Sequence, residues 1–118
     1  MTVAELLEKV ATDADNVAFA DVITTIEQHY HYTPTRFVNG LGTDAVVNDA
    51  GSNEGSCKVF AFASLHDLNK HDTLALFGEH FRKVLATPTD KDHANIRMFM
   101  RDGWAGIEFD GEALAAKH

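Results

Sequence analysis

Residues 57 to 68 leave a chain of this length few folds to choose from. Read as a helix, the segment places Val59, Phe60, Phe62, Leu65 and Leu68 on nearly every side, so it needs apolar neighbours all round it, as the central helix of a small bundle does. A buried strand fits the same residues, because periodicity does not separate the two over so short a run. The chain has 118 residues, 45% hydrophobic and 24% charged, which is enough to wrap one such segment and too little for two cores. The expectation is a single domain spanning 1–118.

The other periodic stretches are mostly helical. Thr2 and Glu5 form a capping box ahead of Val3, Leu6, Leu7 and Val10, which share one stripe. Asn16 is positioned to cap a second helix carrying Phe19, Val22, Ile23, Ile26 and Tyr30 on one face, and Pro34 ends it. Asn69 opens another, whose stripe of Leu74, Phe77, Phe81, Val84 and Leu85 runs up to Pro88. Asp92 caps a last helix with His93, Ile96, Phe99 and Met100 on or near one face, and Gly103 closes it. From Thr35 to Gly51 the pattern breaks at Asn39-Gly40, Gly42 and Asn48-Asp49, leaving Phe37-Val38 and Val46-Val47 as the arms of a small hairpin. Residues 106 to 110 alternate as a short strand. The predicted fold is therefore mainly α, a small single-domain helical bundle of about five helices, with a minor β element of two or three strands from 36–48 and 106–110.

Charge narrows the partners. Ten Lys and Arg face eighteen Asp and Glu, a net charge of -8, which repels the phosphates of nucleic acid and anionic lipid heads; neither nucleic acid nor membrane is an expected partner. No apolar run approaches the ~20 residues that span a bilayer. The one cysteine forms no intramolecular disulfide, so nothing asks for an oxidising compartment, and a cytosolic setting is the simplest expectation.

Candidate chemistry gathers in residues 48 to 58, Asn-Asp-Ala-Gly-Ser-Asn-Glu-Gly-Ser-Cys-Lys. Gly51 and Gly55 allow tight turning with positive φ, and Asn53, Glu54 and Ser56 are placed to satisfy the free N–H groups that open a helix. Cys57, if on a first helical turn beside Lys58, is a candidate nucleophile with His93 as base and Asn95 as orienting group; the competing reading is a small buried hydrophobe. Gly-Ser-Cys before a helix is superficially like papain-type proteases, but the aromatic residue after the cysteine is missing and the chain is small for a two-lobed cleft. Seven histidines include His29, His31, His80 and His93 beside apolar stripes, yet no His-Glu-x-x-His or Cys-x-x-Cys spacing occurs, and neither a metal nor another cofactor is expected. Arg82 and Arg97 each need a carboxylate or carbonyl partner, for instance Glu54 or Asp49, or else hold an acidic ligand. The ligand-binding set is Asn53, Glu54, Ser56 and Arg97. Trp104 reads as an anchor for the C-terminal strand.

Four stretches together resemble one family: Tyr-His-Tyr-Thr-Pro-Thr-Arg-Phe-Val-Asn-Gly (30–40), the 48–58 segment, Thr-Leu-Ala-Leu-Phe-Gly-Glu-His-Phe-Arg (73–82) and His-Ala-Asn-Ile-Arg-Met-Phe (93–99). Over about Phe19 to Phe109 the chain is similar to the HopJ type III effector family. The resemblance implies a small bacterial protein named after a plant-pathogen effector, with no established catalytic activity and no site residues to carry over. Type III substrates usually begin with a flexible Ser/Thr-rich leader, whereas this chain enters a capped helix at once. The expectations are a bacterial cytoplasmic role or secretion into a host cell, and a non-enzymatic effector-like or accessory protein that binds a protein or small-molecule partner through the 48–58 loop and the start of the last helix. The alternative is a small thiol-dependent enzyme using Cys57 and His93.

Overall fold

Local capping signals open the chain as the sequence predicts. In a computed structural model, which describes residues 1–117, α1 (Val3–Thr12) begins with the reciprocal pair expected of its capping box. The Glu5 N–H donates to Thr2 Oγ1 at 3.0 Å and the Thr2 N–H to Glu5 Oε1 at 2.8 Å. A 3₁₀ turn, Ala14–Asn16, leads to α2 (Phe19–His29). Asn16 lies in that turn and does not cap the helix. Instead the Phe19 N–H donates to Glu79 Oε1 at 2.7 Å, a cap supplied by a residue distant in sequence. That bond also holds the Glu79 carboxyl below the usual carboxylate range.

α2 ends at His29, before Pro34 is reached. Tyr30–Tyr32 form β1, paired antiparallel with β5 (Leu114–Ala116), so Tyr30 belongs to a strand and not to the helical face. Alternating tyrosines suit a pleated, half-buried surface, and the partner strand decides between strand and helix. A second sheet follows the predicted hairpin and late strand: β2 (Phe37–Asn39), β3 (Val46–Asn48) and β4 (Ile107–Phe109), in the order β3-β2-β4 and antiparallel throughout.

The apolar segment is helical. α3 (Glu54–Leu65) starts three residues ahead of the expected boundary and buries Cys57, Val59, Phe60, Ala61, Phe62 and Ala63. Phe60 sits at the centre of an aromatic cluster, its ring 5.0 Å from Phe99, 5.4 Å from Phe77, 5.8 Å from Phe37 and 6.4 Å from Trp104. Trp104 is fixed in turn by its Nε1–H, which donates to the Leu68 carbonyl at 2.8 Å. The segments joined by β2, α3, α4 and α6 thus share one core.

The long helix expected from Asn69 to Pro88 is two helices, α4 (Lys70–Ala75) and α5 (Glu79–Ala86), which brings the number of α-helices to six among the described residues. Asn69 caps the first, accepting from the Asp72 N–H at 2.8 Å. Gly78 breaks the run: its φ is +58°, and a Cβ there would come within 2.7 Å of the Phe19 nitrogen and 2.8 Å of the Val17 carbonyl oxygen. The break redirects the stripe. Leu74, Phe77 and Val84 are buried, Phe81 is half-buried, and Leu85 is 54% exposed. α6 (Ala94–Asp102) is preceded by His93 rather than Asp92 as its capping position, and ends at Gly103, φ +60°. The architecture is mainly α with two small sheets, and no helix among the described residues is long and apolar enough to cross a membrane.

Two measurements check this packing. Phe60→Ala removes the hub of the cluster and is expected to cost about 3–5 kcal/mol in denaturant melts, against less than about 2 kcal/mol for Phe81→Ala; equal losses would contradict the break at Gly78. The second concerns His66, whose Nε2 lies 2.7 Å from the Tyr30 hydroxyl. Burial lowers its pKa, with Asp67 pulling weakly the other way. Below the unfolded value of about 6.5 the unfolded chain binds a proton that the fold resists, so this contribution is complete above that pH and is lost as pH falls through the folded pKa. The stability difference between the parent and His66→Gln should therefore shrink on acidification, and a pH-independent difference would show that the histidine is not held neutral.

Candidate functional site

Three carboxamides hidden under the hairpin set the geometry. Asn39 and Asn48, at the ends of β2 and β3, are 0% and 1% exposed, and Asn95, on the first turn of α6, is 6% exposed. Such groups persist in a core only when paired. Asn39 Nδ2 donates to the Asn95 carbonyl at 2.9 Å and to Asn95 Oδ1 at 3.1 Å. Asn95 Nδ2 donates to Asn48 Oδ1 at 2.9 Å, and Asn48 Nδ2 returns the bond to Asn95 Oδ1 at 3.1 Å. Asn53 joins from the head of α3, its Nδ2 2.7 Å from Asn48 Oδ1. The cluster ties the hairpin, α3 and α6 into one unit.

Asn53 and His93 precede their helices in the left-handed conformation, with φ of +50° and +51°. Asparagine tolerates that region better than most residues, and histidine is also enriched there. Neither side chain caps its own helix. Among the described residues the first-turn N–H groups of both helices have no side-chain acceptor, and both first turns line one cleft.

The cleft has a volume of about 350 Å³, with Asn53, Gly55, Ser56, His93, Asn95 and Ile96 among the residues of the two helix starts and Phe19, Phe77 and His80 opposite. Phe19 stacks on Phe77 at 6.3 Å and meets His80 edge-on at 4.8 Å; the His80 and His93 rings lie 5.1 Å apart. Gly55 is not in the positive-φ geometry expected of it. It is small because of Phe19: a Cβ there would lie 3.0 Å from Phe19 Cζ. Gly51 does adopt a positive φ, +88°.

The residues singled out from sequence divide between this cleft and other surroundings. Asn53, Ser56, His93 and Asn95 line it. Glu54 is exposed on the first turn of α3. Arg97 is occupied elsewhere: its Nε donates to the Asp92 carbonyl at 2.6 Å, its NH1 to the Thr87 carbonyl at 2.8 Å and its NH2 to Asp92 Oδ1 at 2.7 Å. Its ion pair is thus with Asp92, not with Glu54 or Asp49. Lys83 meets the same carboxylate at 2.7 Å, and the two cations hold the Asp92 pKa down to about 2. Arg82 donates to the Val17 carbonyl at 3.1 Å.

Cys57 does not line the cleft. It is the fourth residue of α3, its N–H already donating to the Asn53 carbonyl, and the helix-terminal field fades beyond the first turn. The sulfur is 1% exposed and donates to the Thr35 carbonyl at 3.6 Å. Burial pushes the thiol above its usual range. The neighbouring Tyr32 hydroxyl is buried without a hydrogen-bond partner among the described residues, and its pKa is likewise raised by burial. Among the described residues no group of three or more His, Cys, Asp or Glu is arranged to hold a metal ion.

Phe19, Phe77 and His80 were not assigned to this site by the sequence. Phe19 and Phe77 read as core positions, and no local signal shows that their edges form a wall.

Comparison with known families gives a match to the HopJ type III effector protein over residues 3–114. The chain belongs to this family. It is also 43% identical to a protein whose structure is described as "Crystal structure of unknown function protein VPA0580", with a TM-score of 0.93 over 99% of this chain and 95% of that one. Comparison with curated proteins finds no match. The HopJ membership accounts for the four recognisable motifs, three of which contribute residues to the cleft: Asn53, Gly55 and Ser56 from the second, Phe77 and His80 from the third, and His93 to Ile96 from the last.

The thiol gives a direct check on these surroundings. Iodoacetamide should label Cys57 slowly at neutral pH in the native protein and rapidly only on unfolding, with the native rate unchanged in His93→Ala. Fast native labelling that depends on His93 would place an active thiolate beside that histidine.

Proposed function

We propose that this HopJ protein is a non-enzymatic binding protein whose cleft receives the anionic group of a small molecule or of a protein partner. The observation that carries the reading is the convergence of two helix starts, both without side-chain caps, on one cleft that also holds two imidazoles. N–H groups at a helix N-terminus carry partial positive charge and point outward along the axis, so they favour an anion at short range. His80 and His93 add ring nitrogens able to donate to the same group. Phe19 and Phe77 offer flat apolar surface to whatever carries it.

Carboxylates near the cleft mostly have other partners. Glu79 accepts from the Phe19 N–H, and Asp92 is shared by Lys83 and Arg97, although its Oδ2 also lies 3.9 Å from His93 Nε2. Glu54 works against the anion, since it sits on the α3 first turn and forms no ion pair among the described residues. The net charge of -8 also repels an approaching anion, so capture depends on directed hydrogen bonds rather than long-range steering. Binding is favoured over thiol chemistry because Cys57 is sealed and its thiol is pushed toward the protonated form. The family description supports delivery of this activity into a host cell by type III secretion.

Amide NMR titrations with inorganic phosphate and with acetate test the reading. The expected result is saturable shifts at Gly55, Ser56, Asn95 and Ile96, with affinity reduced roughly tenfold, about 1.4 kcal/mol, in the His80→Ala/His93→Ala double variant. Absence of shifts at both helix starts, or shifts centred elsewhere, would overturn it.

A further inference from the structure

Arg82 stands apart from the other three arginines. Arg36 lies 3.4 Å from Asp110, Arg97 2.7 Å from Asp92 and Arg101 2.7 Å from Asp44, but no carboxylate among the described residues comes within 4.0 Å of the Arg82 guanidinium. In a chain with eighteen acidic residues that is a selective omission. Its one hydrogen bond goes to a backbone carbonyl, through NH1. A guanidinium has five donors in a planar fork suited to a carboxylate, so most of that capacity remains.

Much of what surrounds Arg82 is apolar. It lines a cavity of about 270 Å³ formed where the 3₁₀ turn, α4 and α5 meet, with walls from Ala14, Ala75, Phe81 and Leu85. The break at Gly78 leaves Phe81 half-buried and Leu85 exposed on this side, an apolar edge of the cavity. Among the described residues no polar neighbour forms an ion pair with the arginine. Glu79, which accepts from the Phe19 N–H, feels its charge from farther off; His71, 3.3 Å from Asp72, and the exposed Asp15 line the same cavity, and Asp15 works against an anion there.

We infer that this cavity is a second binding site, distinct from the cleft at the helix starts, for a small carboxylate with an apolar tail: the carboxylate pairs with Arg82 and the tail lies against Phe81 and Leu85. Charge complementarity chooses the head group, since an unpaired guanidinium at an apolar wall gains a charge-assisted bidentate pair only from an anion of that planar shape. The volume, just under the usual range for drug-sized ligands, limits the occupant to a short tail.

Octanoate is the probe, with octanol as its uncharged counterpart. In titrations of the full chain followed by amide NMR, octanoate should shift Ala75, Phe81, Arg82 and Leu85 saturably and bind at least tenfold more tightly than octanol. Arg82→Gln should bring octanoate down to the octanol level while leaving octanol binding unchanged, and Arg82→Lys should restore only part of the difference. Loss of the bond to the Val17 carbonyl could unfold the glutamine variant, in which case the octanoate to octanol ratio in the parent protein decides alone. Equal binding of the two probes, octanoate binding indifferent to Arg82, or shifts confined to the helix starts near Gly55 and Asn95 would each overturn the inference. Because the shifted residues differ, failure here is distinguishable from failure of the cleft to bind phosphate.

Discussion

The carboxamide cluster of Asn39, Asn48 and Asn95 is the constraint on which the placement of the other elements rests. Asparagine offers both donor and acceptor, so three side chains can satisfy most of one another's polar groups where a single one would be left unpaired in a core. The bonds cross between elements: Asn39 to Asn95 joins β2 to α6 across 56 positions of the chain, and Asn48 to Asn53 joins β3 to the head of α3. Removing any one of them strands partners in a buried setting, which costs more than the bond itself contributed. Asn39 Oδ1 already lacks a partner, so the cluster has little margin. Around it the aromatic contacts of Phe60 supply bulk attraction, but those contacts are tolerant of small rotations. The amides are not.

Much of the fold was legible because it is locally determined. The Thr2 and Glu5 capping box, the Asn69 cap and the Gly103 stop depend on residues within a few positions of each other, and the hairpin of Phe37-Val38 and Val46-Val47 on residues within about a dozen. The features that sequence did not yield depend on distant partners. Glu79 caps α2, Leu114 draws Tyr32 into a strand, and the close approach of Val17 and Phe19 forces a glycine at 78 and splits a helix whose apolar stripe reads as continuous. Hydrophobic spacing shows which residues lie on a common face. It does not reveal a backbone from elsewhere pressing on that face.

The site divides along the same line. Asn53, Ser56, His93 and Asn95 stood out because polar residues at helix starts are visible in the chain, and the fold brings both starts to one cleft. Arg97 stood out because a guanidinium among apolar neighbours needs a partner, and it finds Thr87 and Asp92, which lie closer to it along the chain than any residue of the loop. Cys57 looked reactive only on the assumption that α3 begins at residue 57. Starting the helix at Glu54 moves the thiol out of the first turn and into the packed interior, reversing the direction in which its pKa shifts.

Asn53 and His93 show how the amide cluster and the proposed cleft depend on one another. A helix start is normally closed by its own capping side chain, and an asparagine at that position is well suited to do so. Here the left-handed conformation at Asn53 carries the side chain away from its helix and toward Asn48, so the bond that ties it to the amide cluster is the one that leaves the α3 N–H groups without a cap. At His93 the same backbone geometry leaves the ring beside His80 while the following Asn95 is held inward by Asn39 and Asn48. Placing a left-handed residue ahead of each helix costs roughly 1–3 kcal/mol of backbone strain. The bond of Asn53 to Asn48 and the buried bonds of Asn95 offset part of that cost, and the two uncapped starts accompany it.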